Sequence, residues 1–454
     1  MNRSSSIDFL LEDFGKYNDL VAVIWKEQSF TYKDILQRIN KWREQIAYLN
    51  DGTIVGLEGD FSPESISLLY ALIEKNAIIA PFDINHSEKN SKKYGIAQLD
   101  LLIRVENEET IVFSEMADGT VKNDLYKEVI NNASPGLVLF TSGSSGEPKA
   151  ALHNFSKLLD KFRVKRKALR TINFLLFDHW GGLNTLFHIM SNGGTVVILE
   201  NRTPDYVCEL IEKHQVELLP TSPTFLNMLI ISRAYERYSL QSLKMISYGA
   251  EPMPESLLKN LNKLFPSITL QQTYGLIELG VMRSKSEDNG SLWVKIGGEG
   301  FSVRVVDDML QIKSDSAMVG YLNAPSPFTE DGWFMTGDAV EIKDDYFRIL
   351  GRKSELINVG GEKVFPQEIE NTILEILDIE DVLVYGETHP LTGKIVCAKV
   401  KYVGNEAKAD VIGMIKKYCR AKLESFKVPV KIQLVNESFE SGRFKKARVD
   451  DKHV

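Results

Sequence analysis

Three cysteines in 454 residues, Cys208, Cys397 and Cys419, are an odd number and too scattered for a disulfide framework or a metal-ligand spacing. They read as buried thiols. No apolar run approaches the roughly 20 residues that a helical bilayer span needs. The first residues, MNRSSSIDFLLEDF, place acidic side chains where a secretory signal would need an unbroken apolar stretch, so a cytoplasmic location is expected. Positive charge is also short. A net charge of −8 argues against nucleic acid as the partner, because counterion release needs a basic surface. The local exception is KFRVKRKALR at 161–170, which reads as a solvated helix face or as a dock for an acidic carrier protein.

What is present is the texture of a large folded enzyme, with 43% hydrophobic and 26% charged residues. A chain this long exceeds one ordinary core and divides into two or three packed units. Short β-branched runs such as GTVVIL alternate with helical patterns such as DYVCELIEKHQV, which predicts α/β units wound around a sheet. After about residue 290 the pattern changes to short strands, FSVRVVDD, MLQIKS and DDYFRILGRK, and predicts a small β-rich subdomain. From residue 351 the helix FPQEIENTILEI, the strands DVLVYGE and KIVCAKVKYV, and the helix ADVIGMIKKYCRAKL predict a small α+β domain. The expected division is therefore 1–350 and 351–454.

The stretch LVLFTSGSSGEPK at 137–149 is a strand feeding a serine and glycine turn that closes on Lys149. It lacks the glycine spacing of a Walker loop. Successive backbone N–H groups and hydroxyls in such a turn can still form a cradle for phosphate, with the lysine as a point charge. A surface loop remains the alternative on these residues alone.

That segment resembles the phosphate loop of the adenylate-forming superfamily, which includes acyl-CoA synthetases, peptide-synthetase adenylation domains and luciferases. FTYKDIL, YALIEKNAIIAPFD, YGAEPMP, TYGLIELG, VGYLNAPSPF, GWFMTGDAV and GRKSELINVGGEKVFPQEIE match the same family in the expected order, over nearly the whole chain. The resemblance implies a large AMP-binding domain of doubly wound α/β subdomains with a β-rich subdomain, followed by a small mobile carboxyl-terminal domain. It implies an AMP-forming acid–thiol ligase that joins a carboxylic acid to ATP as an acyl-adenylate and then passes the acyl group to a thiol.

Residue roles follow from the same resemblance. Thr141, Ser142, Gly143, Ser144, Ser145 and Gly146 would wrap the ATP phosphates, with Lys149 beside the departing pyrophosphate. Tyr274 and Gly275 would face adenine on one side, with Gly249, Ala250 and Glu251 on the other. Glu278 would help hold Mg²⁺. Asp338 would accept from the ribose hydroxyls, Arg352 would reach the same sugar, and Ser354 stands at the hinge position. Gly360 and Gly361 would let the pantetheine arm of coenzyme A pass, which makes coenzyme A the favoured acceptor and a carrier protein the alternative.

In LLFDHWGGLNTLF, His179 would sit beside the substrate carboxylate, and Trp180 and Phe187 would form apolar wall of the acyl pocket. A register shifted by one residue would put Asp178 there and imply an amino acid substrate instead. Two positions depart from the family pattern. Ile277 replaces a threonine before Glu278, and Arg443 stands where the adenylation lysine is expected, with Lys445 and Lys446 close behind. A catalytically impaired relative that binds nucleotide or acyl group is the reading these departures keep open.

Overall fold

A computed structural model describes residues 7–106, 110–116, 121–142, 147–436 and 439; the side chains at 86–89 and 142 fall outside that description. Two seven-stranded sheets form the large part. The first runs Thr269–Gln272, Met245–Tyr248, Leu218–Thr221, Arg170–Asn173, Thr195–Ile198, Val21–Trp25 and Gln28–Thr31, all parallel except the final hairpin. The second has a parallel centre, Gly136–Ser142, Ile78–Asp83, Ile54–Gly59 and Leu101–Val105, with antiparallel strands at both edges. The strand Ile54–Gly59 is buried at every position, as expected of a parallel strand covered on both faces.

Helices Tyr32–Gln45, Pro63–Glu74 and Trp180–Ser191 fill the layer between the sheets. Pro63–Glu74 is buried at ten of its twelve positions, because it has a sheet on each side and no face for water. Its start is set by a reciprocal cap between Ser62 and Ser65, and that of Tyr32–Gln45 by one between Thr31 and Asp34. Helices Pro204–His214, Pro223–Ser232 and Glu255–Leu264 cover the outer face of the first sheet.

A six-stranded antiparallel sheet follows, Arg283–Ser286, Val294–Gly297, Tyr346–Arg352, Phe334–Lys343, Met309–Ser314 and Phe301–Val306. It is the β-rich texture seen in the sequence. The carboxyl-terminal unit is a five-stranded sheet with helices Pro366–Ile373 and Lys408–Lys422 on its own apolar core. Each of Cys208, Cys397 and Cys419 is a buried free thiol. Among the described residues, no helix is long and apolar enough to cross a membrane.

The basic run 161–170 differs from its expected helix. Only Asp160–Arg163 forms a single 3₁₀ turn, and the next residues are irregular up to the strand at Arg170. The reason is local competition for the backbone. Lys165 is tied to the Asp13 carboxylate and to the Ser191 carbonyl, and the Arg166 N–H donates to the Asn192 side chain.

Candidate active site

The carboxyl ends of the first sheet, the six-stranded sheet and the small carboxyl-terminal unit enclose a cavity of about 2890 Å³. Crevices outside the carboxyl ends of parallel strands are where open α/β sheets bind ligands.

One wall carries Asp338, Tyr274 and Arg352. Asp338 and Arg352 are directly opposed residues on adjacent strands, with Arg352 Nε 3.3 Å from Asp338 Oδ1. The Tyr274 hydroxyl donates to Asp338 Oδ2 at 2.5 Å. Burial raises the Asp338 carboxyl above its ordinary pKa, against the lowering pull of Arg352 and Tyr274. Burial, with Asp338 adding to it, likewise pushes the Tyr274 phenol up. The ring of Tyr274 packs with Leu279, Met282 and Val340 while it borders the cavity.

Gly249, Ala250 and Glu251 follow the strand Met245–Tyr248 and border the same space. A Cβ on Gly249 would lie 2.4 Å from Thr273 Oγ1, so only glycine lets the two strand ends approach. Ala250 is held at φ +69°, a left-handed conformation uncommon for a residue with a Cβ. The Glu251 carboxylate accepts from the Thr224 N–H at 2.6 Å, at the start of helix Pro223–Ser232. Gly275 lies in a two-stranded turn against Val281.

Another part of the cavity holds Thr141, Lys149 and Glu278. Lys149 Nζ lies 5.6 Å from the ring centre of Tyr321, and the Tyr321 hydroxyl donates to Glu278 at 2.5 Å. One ring thus links the lysine to the carboxylate. Asn323 clamps the strand on either side of Lys149: its oxygen accepts from the Ala150 N–H at 2.9 Å and its amide donates to the Pro148 carbonyl at 2.8 Å. Neither Tyr321 nor Asn323 was singled out in the sequence, although both stand in VGYLNAPSPF. Among the described residues no three His, Cys, Asp or Glu side chains gather into a metal site. A single carboxylate fits Mg²⁺, which is usually held by one or two carboxylates together with substrate phosphates.

His179 is the N-cap of helix Trp180–Ser191, its Nδ1 accepting from the Gly181 N–H at 3.1 Å, and it borders the cavity. Asp178 is buried and is not among the lining residues. The two glycines have a steric cause. A Cβ on Gly182 would meet the Leu176 carbonyl oxygen at 2.3 Å, and one on Gly181 the Leu175 side chain at 2.5 Å. Trp180 lines the cavity, but Phe187 does not supply the wall expected of it. It packs on Phe155, Tyr70 and Phe162 between the sheets, in a cluster that the Trp180 ring also reaches through Phe155.

Gly360 and Gly361 form the tip of the hairpin between Ile357–Val359 and Glu362–Val364, with φ of +60° and +99° and open space around both. In this arrangement they lie outside the cavity, which Arg352 and Ser354 line. Gly143, Ser144, Ser145 and Gly146 lie outside the described residues, as do Arg443, Lys445 and Lys446, and Ser142 is described only in its backbone.

Fold and cavity together define an adenylate-forming enzyme of two unequal parts. Residues 11–322 match the family described as AMP-binding enzyme, and residues 368–445 match the AMP-binding enzyme C-terminal domain. The chain belongs to the AMP-binding enzyme family. An indoleacetate–CoA ligase of Aromatoleum aromaticum is 28% identical over 334 residues, 67% of this chain and 64% of that protein. A 2-succinylbenzoate–CoA ligase of Geobacillus sp. is 25% identical over 92% of this chain and 91% of its own. Among solved structures, the anthranilate CoA ligase AuaEII in complex with anthranoyl-AMP matches with a TM-score of 0.83 at 17% identity, covering 98% of this chain and 95% of that one. The o-succinylbenzoate CoA synthetase of Bacillus subtilis with its acyl-adenylate matches with a TM-score of 0.78 at 18% identity, covering 98% of each chain.

Proposed function

We propose that this chain is an ATP-dependent acid–thiol ligase that forms an acyl-adenylate and transfers the acyl group to coenzyme A. The observation that carries the reading is a cavity with the buried Asp338, paired to the more exposed Arg352, in one part and the Lys149–Tyr321–Glu278 group in another. The two relatives named above are CoA ligases by name, which supports the same acceptor.

In this reading Asp338 takes the ribose hydroxyls, with Tyr274 and Arg352 giving up part of their hold on the carboxylate as the sugar arrives. Lys149 meets the leaving pyrophosphate, positioned by the Asn323 clamp. Glu278 holds Mg²⁺, which would neutralise phosphate charge when bound. His179, fixed as a helix cap, stands beside the carboxylate that attacks the α-phosphate. The enzyme thus contributes alignment and charge neutralisation without a covalent intermediate on a side chain. Coenzyme A approaches Gly360 and Gly361 after the small domain turns about Ser354, and we place the boundary between domains at residues 350–351.

The test is pyrophosphate release from ATP and Mg²⁺ with a broad panel of carboxylic acids, followed by detection of the CoA thioester. Release that depends on an acid supports the reading. Nucleotide binding without release from any acid would leave only the role of a binding protein.

A further inference from the structure

The part of the cavity beneath helix Trp180–Ser191 sets polar and basic groups among apolar ones such as Phe162, Trp180 and Ile189. The lining positions Gly181, Asn184, Thr185 and His188 recur at steps of three and four, so they occupy one face of that helix. Facing them are Lys161, Arg166 and Arg283. Lys161 is half-buried against the rings of Phe162 and Trp180 and donates one proton to the Val281 carbonyl at 3.0 Å. Its other two donors have no partner among the described residues. Arg166 and Arg283 are exposed at the open edge, and neither forms an ion pair there among the described residues.

Of the carboxylates lining the cavity, Asp160 is paired with Arg163 at 3.1 Å, and neither Glu299 nor Asp315 forms an ion pair with Lys161, Arg166 or Arg283 among the described residues. These basic groups thus have no ion-paired carboxylate among the described residues. Burial, with Arg283 adding to it, lowers the Lys161 ammonium to about 7. Burial, with Lys161 and Arg166 adding to it, lowers His188 to about 4. Positive charge on Lys161 in so poorly solvated a wall is costly unless something negative joins it, and the neutral His188 beside it can still donate a ring N–H.

We propose that the acid bound in this cavity carries a second carboxylate, seated between Lys161 and His188 with Arg166 and Arg283 at the open edge. The inference rests on the ligase reading above and names its substrate class. One carboxylate is activated near His179, and the other stays ionised and anchors the far end. An acid ending in a methyl group leaves the cations without a counter-ion and gives up the discrimination that such a site provides.

The experiment measures kcat/KM for pyrophosphate release with diacids of about four to ten carbons, straight and ring-bearing, each against the monoacid bearing a methyl in place of the remote carboxylate. At least one diacid should exceed its monoacid by about 100-fold, less than the roughly 10⁴-fold of a fully buried polar site because Arg166 and Arg283 are exposed. Lys161→Met should lower the diacid value by about 30-fold and leave the KM for ATP and turnover of monoacids unchanged. Arg166→Gln, at an exposed position that does not threaten folding, should raise the diacid KM by about threefold, less at high salt. A preference for monoacids, or equal loss on both classes in Lys161→Met, overturns the inference and leaves the ligase reading standing. Failure to turn over any acid overturns both.

Discussion

Asp338 and Arg352 are direct neighbours across two antiparallel strands, and the Tyr274 hydroxyl holds the second oxygen of the same carboxylate. Both oxygens of the carboxylate are therefore engaged, so in the proposed nucleotide site ribose would enter by exchange.

Asp338→Ala should weaken ATP binding by roughly 1.5–3 kcal/mol for each charge-assisted hydrogen bond lost to the sugar. Titration calorimetry checks it, and unchanged affinity removes Asp338 from the nucleotide site. Tyr274→Phe frees one oxygen of the carboxylate and keeps the ring, so its affinity should fall much less.

The paired glycines of the cavity helix should differ sharply. Gly182→Ala presses a methyl into a backbone carbonyl that cannot move aside, and should cost about 2–4 kcal/mol of stability. Gly181→Ala meets the end of a leucine side chain that can turn away, and should cost about 1 kcal/mol or less. Urea unfolding of the two variants decides this; equal losses would show that the loop Leu175–Leu176 moves as a unit.

Asn323 is exposed, so its loss should alter stability by less than about 1 kcal/mol. It nevertheless grips the chain on both sides of Lys149. Asn323→Ala should raise the KM for ATP by about tenfold with an almost unchanged melting temperature, as expected when a positioning contact is removed. An unaltered KM would mean that the strand pairing alone sets Lys149.

How much of this was legible in the sequence depends on range. Strands, helices and the glycine and serine loops follow local patterns, and most elements named from the sequence lie where they were expected. The Asp338–Arg352 contact depends on the register between two strands with a bulge after Ala339, which composition does not encode. The 161–170 run was misread because lysine, arginine, leucine and alanine are good helix formers. Distant groups, Asp13, Ser191 and Asn192, override that propensity. Phe187 was open to two readings, acyl-pocket wall or structural core, and it is core; a helix buried on both sides shows no single apolar stripe that would separate them. On that helix the polar positions 184, 185 and 188 were the informative ones, and they were hidden among leucines and aromatics.

Lys161 gives a pH dependence of stability with a definite sign. Its folded pKa is lowered to about 7 from 10.5, so between those values the unfolded chain binds more protons than the folded one. Its contribution therefore destabilises most below pH 7 and is relieved as pH rises toward 10.5. Asp160, Lys157, Arg166, His188 and Arg283 face the same region and are unchanged in the variant. Lys161→Met should raise unfolding free energy by about 1–2 kcal/mol at pH 6, with a smaller gain near pH 10. A gain independent of pH would show that packing, not charge, is responsible.

Arg443 lies outside the described residues, and its role rests on spacing after Ser441 and Gly442. Arg443→Ala should slow acid-dependent pyrophosphate exchange by about 10²-fold, the loss seen when one charge-stabilising donor is removed. Thioester formation from presynthesised acyl-adenylate should persist. If the exchange instead collapses in Lys445→Ala or Lys446→Ala, the cation is one of those.

The helix Trp180–Ser191 begins at His179 and carries Asn184 and His188 along the cavity. With a rise of about 1.5 Å per residue, these three positions stand at about 0, 7 and 13 Å along one axis. The helix is thus graduated like a ruler. In the proposed reading, a substrate held at its zero mark would be read for length by the side chain its far end reaches, and changing chain-length preference would be a matter of moving a polar residue by one turn along the scale.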